Sequence, residues 1–315
     1  MKTPLVILTG PTAVGKTEIS IKLAKRINGE IISADSMQVY KHMDIGTAKI
    51  KKEEMHGVLH YLIDILEPKE EFNVVKFQEY AFHAMNEIYE KGKIPIIVGG
   101  TGFYIQSVLY GIHFSENDED NTYRKELEEL AITKGQTYLH EELRKVDESS
   151  ANNIHPNNVK RVIRALEYYK QTGLKISEHN EEQRQKESPY NFAYFVLTNH
   201  REVLYDRINL RIDRMLEAGL VEEVQSLLLA GCTKEMVSMQ GLGYKEIISY
   251  LNGECSLEEA VYLLKRDTRH FAKRQLTWFK REKEVTWIEK NRYEDKEDII
   301  LDVLTNYLSM KNIIS

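Results

Sequence analysis
Gly10-Pro11-Thr12-Ala13-Val14-Gly15-Lys16-Thr17 has the spacing G-x-x-x-x-G-K-[ST], which is that of a loop built to cradle phosphate. Gly10 and Gly15 let the backbone curl until successive N–H groups point at one anion, and the N-terminus of a following helix adds partial positive charge. Lys16 can reach an outer phosphate, and the Thr17 hydroxyl can ligate Mg²⁺. A nucleotide such as ATP is the default ligand. Any diphosphate with a magnesium ion satisfies the same geometry.

A carboxylate follows in Ser33-Ala34-Asp35-Ser36-Met37-Gln38-Val39-Tyr40. Asp35 can ligate magnesium or take a proton from an acceptor; in isolation, an aspartate after a strand is more often a helix cap. The Gln38 amide and the Tyr40 phenol suit a planar, hydrogen-bonding substrate. Gly99-Gly100-Thr101-Gly102 is a second flexible loop with a hydroxyl, either a plain strand-to-helix turn or one that lets backbone approach a base or a phosphate. It stands where an ordinary P-loop ATPase carries an acidic residue for magnesium, which counts against simple ATP hydrolysis.

Basic residues form three further groups. Leu264 to Lys283 holds Lys265, Arg266, Arg269, Lys273, Arg274, Lys280, Arg281 and Lys283 against Asp267 and Glu282. At about 100° per residue, Leu264, Thr268, Phe271, Ala272 and Phe279 share one face, and Arg266, Arg269, Lys273 and Lys280 line the other. Such a face is either solvated or a binder of phosphate backbone. Lys160, Arg161 and Arg164 open a helix after His155-Pro156-Asn157. Arg207, Arg211 and Arg214 recur at helical spacing, with Asp206, Asp213 and Glu217 close enough in sequence to pair with them.

These side chains need a scaffold, and the hydrophobic pattern supplies one. Short apolar strands are predicted at Val6–Leu8, Glu30–Ala34, Ile94–Val98, Phe192–Leu197 and Val285–Ile288, with helices from the glycine loop to Asn28 and over Val74–Glu90. The alternation predicts a parallel sheet covered by helices on both faces, with ligands at the carboxyl ends of its strands. Gly10–Thr17, Asp35 and Gly99–Thr101 then share one rim. From Ser115 the chain turns charged and helical, with helices expected over Thr122–Lys134, Thr137–Val146 and Asn158–Thr172 and a solvated run at Glu181–Glu187. The expected organisation is a core of residues 1–114 and 189–315 with a helical insertion, lid or clamp, at 115–188.

The chain has 315 residues and a formal net charge of −6, so a nucleic-acid partner must meet a local patch instead of a basic coat. Two cysteines, Cys232 and Cys255, are too few for a metal knuckle or a disulfide framework. With no basic-then-apolar leader and no long apolar run, a soluble, cytoplasmic protein without a membrane partner is expected, and nothing demands more than a monomer. On the residues alone, a small-molecule or nucleoside kinase and a nucleotide-gated RNA-binding module stay open.

Six ordered blocks add a resemblance. They are Gly10–Thr17; Asp35–Tyr40 with Met43-Asp44-Ile45-Gly46-Thr47-Ala48-Lys49; Val98–Gly102; His155–Asn157; Gln240-Gly241-Leu242-Gly243-Tyr244; and Ala272-Lys273-Arg274-Gln275-Leu276-Thr277-Trp278-Phe279. In these the chain resembles the tRNA dimethylallyltransferases (tRNA isopentenyltransferases) over nearly its full length. It departs from their pattern at Val14, where Ser is usual, His42 for Gly, Ile50 for Pro, and Asn158, where an Asp often stands. Only Asn158 touches a proposed RNA-contacting helix.

The resemblance implies an α/β fold, a P-loop NTPase-like parallel sheet flanked by helices, with an inserted all-helical domain that clamps tRNA. It implies transfer of a dimethylallyl group from dimethylallyl diphosphate to N6 of the adenosine just 3′ of the anticodon, position 37. Gly10, Pro11, Thr12, Ala13, Val14, Gly15, Lys16 and Thr17 would hold the diphosphate with Mg²⁺ on Thr17. Arg207 or Arg211 would close the other side, and Asp35 would accept the N6 proton. Asp35, Ser36, Met37, Gln38, Thr101, Val159, Lys160, Arg161, Val162, Ile163, Lys273 and Arg274 would meet the tRNA anticodon stem-loop.

Overall fold
A computed structural model describes residues 2–114, 122–294 and 296–314 of the chain. In chain order its elements begin with β1 (Thr3–Thr9), α1 (Lys16–Arg26), β2 (Gly29–Ala34), β3 (His60–Tyr61), α2 (Val74–Glu90), β4 (Ile94–Gly99) and α3 (Gly102–Leu109). Helices α4 (Thr122–Thr133), α5 (Gln136–Val146), α6 (Glu148–Asn153), α7 (Val159–Thr172) and α8 (Ile176–Gln185) follow. The chain then forms β5 (Tyr190–Thr198), α9 (Arg201–Glu217), α10 (Leu220–Leu229), α11 (Tyr244–Leu251), α12 (Leu257–Phe279), β6 (Val285–Glu289) and α13 (Glu297–Met310).

The six strands form one parallel sheet in the order β3-β2-β4-β1-β5-β6. Strands buried on both faces read as continuous apolar runs instead of alternating ones, which is why Val6-Ile7-Leu8 and Ile96-Ile97-Val98 look as they do. One side packs Ile19, Leu23 and Ala24 of α1 and Ile300, Leu304 and Leu308 of α13 against Val6, Leu8, Ile31 and Phe195. In contact with β2, β4 and α3, helix α2 buries Phe77, Ala81, Ala84, Met85 and Ile88. Its start is fixed by Asn73, whose side chain accepts from the Val75 and Lys76 amides at 3.0 and 3.1 Å. A cap of this kind stabilises by about 1 kcal/mol.

Register decides where the loops emerge. Thr9 and Ala34 both stand opposite Gly99, so β1, β2 and β4 end in one row. A side chain at Gly99 would overlap the Ala34 carbonyl, and the Thr9 hydroxyl donates to the Gly99 carbonyl at 2.6 Å. The loops that begin at Gly10, Asp35 and Gly100 therefore leave the same edge of the sheet.

The chain divides into two compact units, residues 1–109 with 189–315, and residues 110–188. The change of character expected at Ser115 lies outside the described residues. The second unit has its own core of Leu127, Leu139, Leu143, Ile154, Val162, Ile163 and Leu166. Asp147 ties it together by accepting from the Ser150 amide at 2.9 Å, which caps α6, and from the Ser177 amide at 3.0 Å. Arg124 grips Glu167 through a fork at 2.9 and 2.7 Å, the bidentate geometry that suits guanidinium and carboxylate. Among the described residues, no helix is long and apolar enough to cross a membrane.

Candidate active site
The phosphate loop has the backbone its glycines require. Gly10 lies at φ 148°, with the Leu197 carbonyl filling the space a side chain would take, and Gly15 lies at φ 90° as the residue just before α1. Ala13, at φ 63°, adds a third positive φ that only the fold sustains. The Lys16 ammonium folds back on the loop and donates to the Gly10 and Pro11 carbonyls at 3.0 and 2.9 Å. Thr17 is exposed in the first turn of the helix.

Arg211 of α9 reaches the same loop. Its Nη1 donates to the Thr12 hydroxyl at 3.5 Å. Arg207 is one turn earlier on α9, half-buried, so both arginines face the same way along the helix. Burial, and then the nearby Arg211 charge, push the Lys16 ammonium down to about 7 against the raising effect of Asp35. Burial also lowers Arg211 from its ordinary value, again opposed by Asp35. Neither cation forms an ion pair among the described residues. Two desolvated cations at a glycine loop, with a carboxylate near enough to be felt, make a site poised for an anion.

Asp35 is half-buried at the end of β2. One oxygen, Oδ1, accepts from the Met37 and Gln38 amides at 2.9 and 3.3 Å, so Asp35 closes a turn; among the described residues no helix directly follows it for the aspartate to cap. Ser36 and Met37 are half-buried beside it, and the Met37 methyl lies against Gly241. Two side chains differ from the sequence reading. Tyr40 is completely buried, edge-on to Phe72 within an aromatic core, because the turn capped by Asp35 directs it inward. The Gln38 amide is engaged internally: Oε1 accepts from the Ser33 hydroxyl at 3.3 Å and Nε2 donates to the Thr47 carbonyl at 3.2 Å. Buried Tyr40 therefore offers no recognition group to a planar substrate, whereas Gln38 is half-buried and held by its own loop.

Thr101 begins the turn into α3. Its amide donates to the Ala34 carbonyl at 3.2 Å, which holds the hydroxyl-bearing residue beside the end of β2. On α12, Lys273 and Arg274 are exposed, with Arg274 over the Phe271 ring at 5.7 Å. Arg269 is occupied by Asn209 at 2.7 Å, Lys265 pairs with Asp213 and Arg266 with Asp267, so much of that basic face is spent on structure. In the second unit, Lys160 and Arg161 are exposed at the start of α7. Val162 and Ile163 turn inward as core residues, which removes their side chains from any surface contact.

Two further residues, to which the sequence reading gives no role, hold loops in place. Gln275 of α12, buried, accepts from the Thr12 amide at 2.9 Å and donates to the Gly100 carbonyl at 3.0 Å. Glu223 of α10 accepts from the Asp44, Ile45 and Gly46 amides at 2.9, 2.7 and 3.0 Å, and from the Tyr244 hydroxyl at 2.7 Å. Gly46 rests on the Tyr244 ring with no room for a side chain. Asp44-Ile45-Gly46 and Gly243-Tyr244, which lie in two separate sequence blocks, therefore meet in the fold.

A sequence model of the family described as IPP transferase matches residues 38–282. The chain belongs to the IPP transferase family. It is 67% identical over 311 residues to a tRNA dimethylallyltransferase of Lachnoclostridium phytofermentans, covering 99% of each, and 54% identical to one of Acetivibrio thermocellus, covering 94% of this chain and 95% of that one. Among solved structures it is similar to the full-length tRNA isopentenylpyrophosphate transferase of Bacillus halodurans, with a TM-score of 0.74 at 46% identity, covering 99% of this chain and 98% of the other. A eukaryotic dimethylallyltransferase acting on tRNA superposes with a TM-score of 0.82 at 29% identity, covering 98% of this chain and 80% of the other. The P-loop-like core expected from the sequence is the fold these family members share.

Proposed function
We propose that this family member transfers a dimethylallyl group from dimethylallyl diphosphate to N6 of adenosine 37, just 3′ of the anticodon of a tRNA. The observation that carries the reading is the cation pair Lys16 and Arg211, without acidic partners, facing the phosphate loop within electrostatic reach of Asp35. The loop amides, Lys16 and Arg211 bind the diphosphate and stabilise the charge that grows on it as the bond from its oxygen to the prenyl C1 breaks. The adenine N6 forms the new bond to C1, and its proton passes to Asp35. An exocyclic amine is a weak nucleophile, so the departing diphosphate and the base share the work.

The donor set fits a magnesium ion. Thr17 offers an exposed hydroxyl oxygen at the start of α1, and no cluster of three metal-ligating side chains forms among the described residues. Mg²⁺ suits such a place because it binds through one protein oxygen, phosphate oxygens and water. When bound, it supplies neutralising charge to the leaving diphosphate.

The target base is stacked in its loop and must be extruded, which costs a few kcal/mol and requires a grip on flanking nucleotides. Lys273 and Arg274 on α12 supply exposed cations for that grip. In the second unit, Lys160 and Arg161 on α7 offer exposed cations to tRNA phosphates. The protein works in this reading as a monomer in the cytoplasm. Mass spectrometry of an anticodon stem-loop incubated with the chain, magnesium and dimethylallyl diphosphate tests it: the adenosine gains one dimethylallyl group. Phosphate movement from ATP to a small acceptor, with the RNA unchanged, would instead support a kinase.

A further inference from the structure
A single carboxamide joins three elements of the site. Gln275 projects from α12, takes the Thr12 amide of the phosphate loop on Oε1, and gives an Nε2 proton to the Gly100 carbonyl next to Thr101. The orientation of this amide follows from chemistry: Thr12 N–H can only donate and Gly100 C=O can only accept. The Gln275 Nε2 lies where a side chain at Gly100 would begin. Exposed Lys273 and Arg274 stand immediately before Gln275 on the same helix.

We propose that Gln275 is a positioning residue for the transfer reaction: its amide fixes the spacing between the donor's phosphate loop and the Gly100–Thr101 loop on the acceptor side. The proposal rests on the prenyl-transfer reading. Only a side chain that accepts at one atom and donates at the next holds both loops. A displacement of about 1 Å between reacting groups costs on the order of a hundredfold in rate, so the spacing matters more to turnover than to affinity.

Two substitutions test this. Gln275→Met keeps the volume and removes both bonds. Gln275→Glu keeps the acceptor for Thr12 but sets a carboxylate against the Gly100 carbonyl; once protonated, the carboxylic acid again accepts at one oxygen and donates at the other. Single-turnover prenyl transfer is measured for both variants and the unaltered protein between pH 5.5 and 8. Anticodon stem-loop affinity is measured alongside.

The expected result is a rate about a hundredfold lower for Gln275→Met at every pH, with RNA affinity within threefold. For Gln275→Glu the rate relative to the unaltered protein rises about tenfold as pH falls. Rates for both variants within twofold of the unaltered protein would overturn the proposal. So would a ratio flat with pH for Gln275→Glu, because a merely space-filling role gives no recovery on protonation. If the unaltered protein transfers nothing, the prenyl-transfer reading fails. Pyrophosphate affinity of Gln275→Met then decides whether the amide organises the phosphate loop, a tenfold loss upholding that role and no loss overturning it.

Discussion
Asp35 holds its own turn through the Met37 amide, which donates to Oδ1 at 2.9 Å, so the atom that orients this carboxylate is also part of the backbone's geometry. The consequence is a clean separation by substitution. Asparagine can accept the same amide bond but cannot take the adenine proton. Asp35→Asn is expected to bind the stem-loop within threefold of the unaltered protein and to lose about 10²–10⁴-fold in turnover. Equilibrium binding and single-turnover rates check it, and unchanged turnover removes Asp35 from the mechanism.

Lys16 gives a pH dependence with a definite sign. In the free site its ammonium is held near about 7, below the ordinary 10.5. A bound diphosphate favours the charged form, so between those values the complex holds more protons than the free protein. Binding of pyrophosphate is expected to take up a proton in this window and to weaken as pH rises through it. Calorimetry in buffers of different ionisation enthalpy measures the uptake, which should fall in Lys16→Met.

Arg211 touches the phosphate loop through Thr12. Arg211→Ala is therefore expected to lower turnover about 10²–10³-fold, the loss usual for a donor to developing charge. Lysine should not restore it, since an ammonium lacks the planar fork. Steady-state rates in saturating RNA check this, and Arg207→Ala losing more than Arg211→Ala would reverse the assignment.

Lys273 is exposed, whereas Lys265 and Arg269 are engaged by α9. Lys273→Ala should weaken RNA binding irrespective of sequence and reduce the slope of log affinity against log salt by about 1. An unaltered slope, measured by filter binding across a salt series, returns this part of α12 to ordinary solvated surface.

Gly99 abuts the Ala34 backbone in the row where three strands end. Gly99→Ala is expected to cost about 1–3 kcal/mol of stability through overpacking. Urea unfolding followed by circular dichroism reads the loss.

Local signals were legible in the sequence, and relationships across the chain were not. The glycine loop, Asp35 and Thr101 announce themselves because each closes a short apolar strand, and parallel register then brings the strand ends together. Gln275 lies in one of the six blocks, but no role is legible for a glutamine among arginines and lysines until α12 turns it toward Thr12, 263 residues away in sequence. Glu223 was hidden similarly, its three amide partners being about 178 positions earlier. Tyr40 was misread for the opposite reason, since a phenol beside polar motif residues suggests a ligand contact, yet the Asp35 turn points it into the aromatic core. Two-residue β3 was too short to show any periodicity.

In the proposed reaction the phosphate loop grips an isoprenoid diphosphate while Asp35 faces the adenine amine that attacks its C1. The most direct measurement is a crystal structure with a donor analogue whose bridging oxygen is replaced by sulfur, bound together with an anticodon stem-loop. The account predicts the diphosphate on the Gly10–Thr17 amides between Lys16 and Arg211, and the flipped adenine N6 within hydrogen-bonding distance of Asp35. A diphosphate bound away from Lys16, or an adenine amine that Asp35 cannot reach, would contradict it.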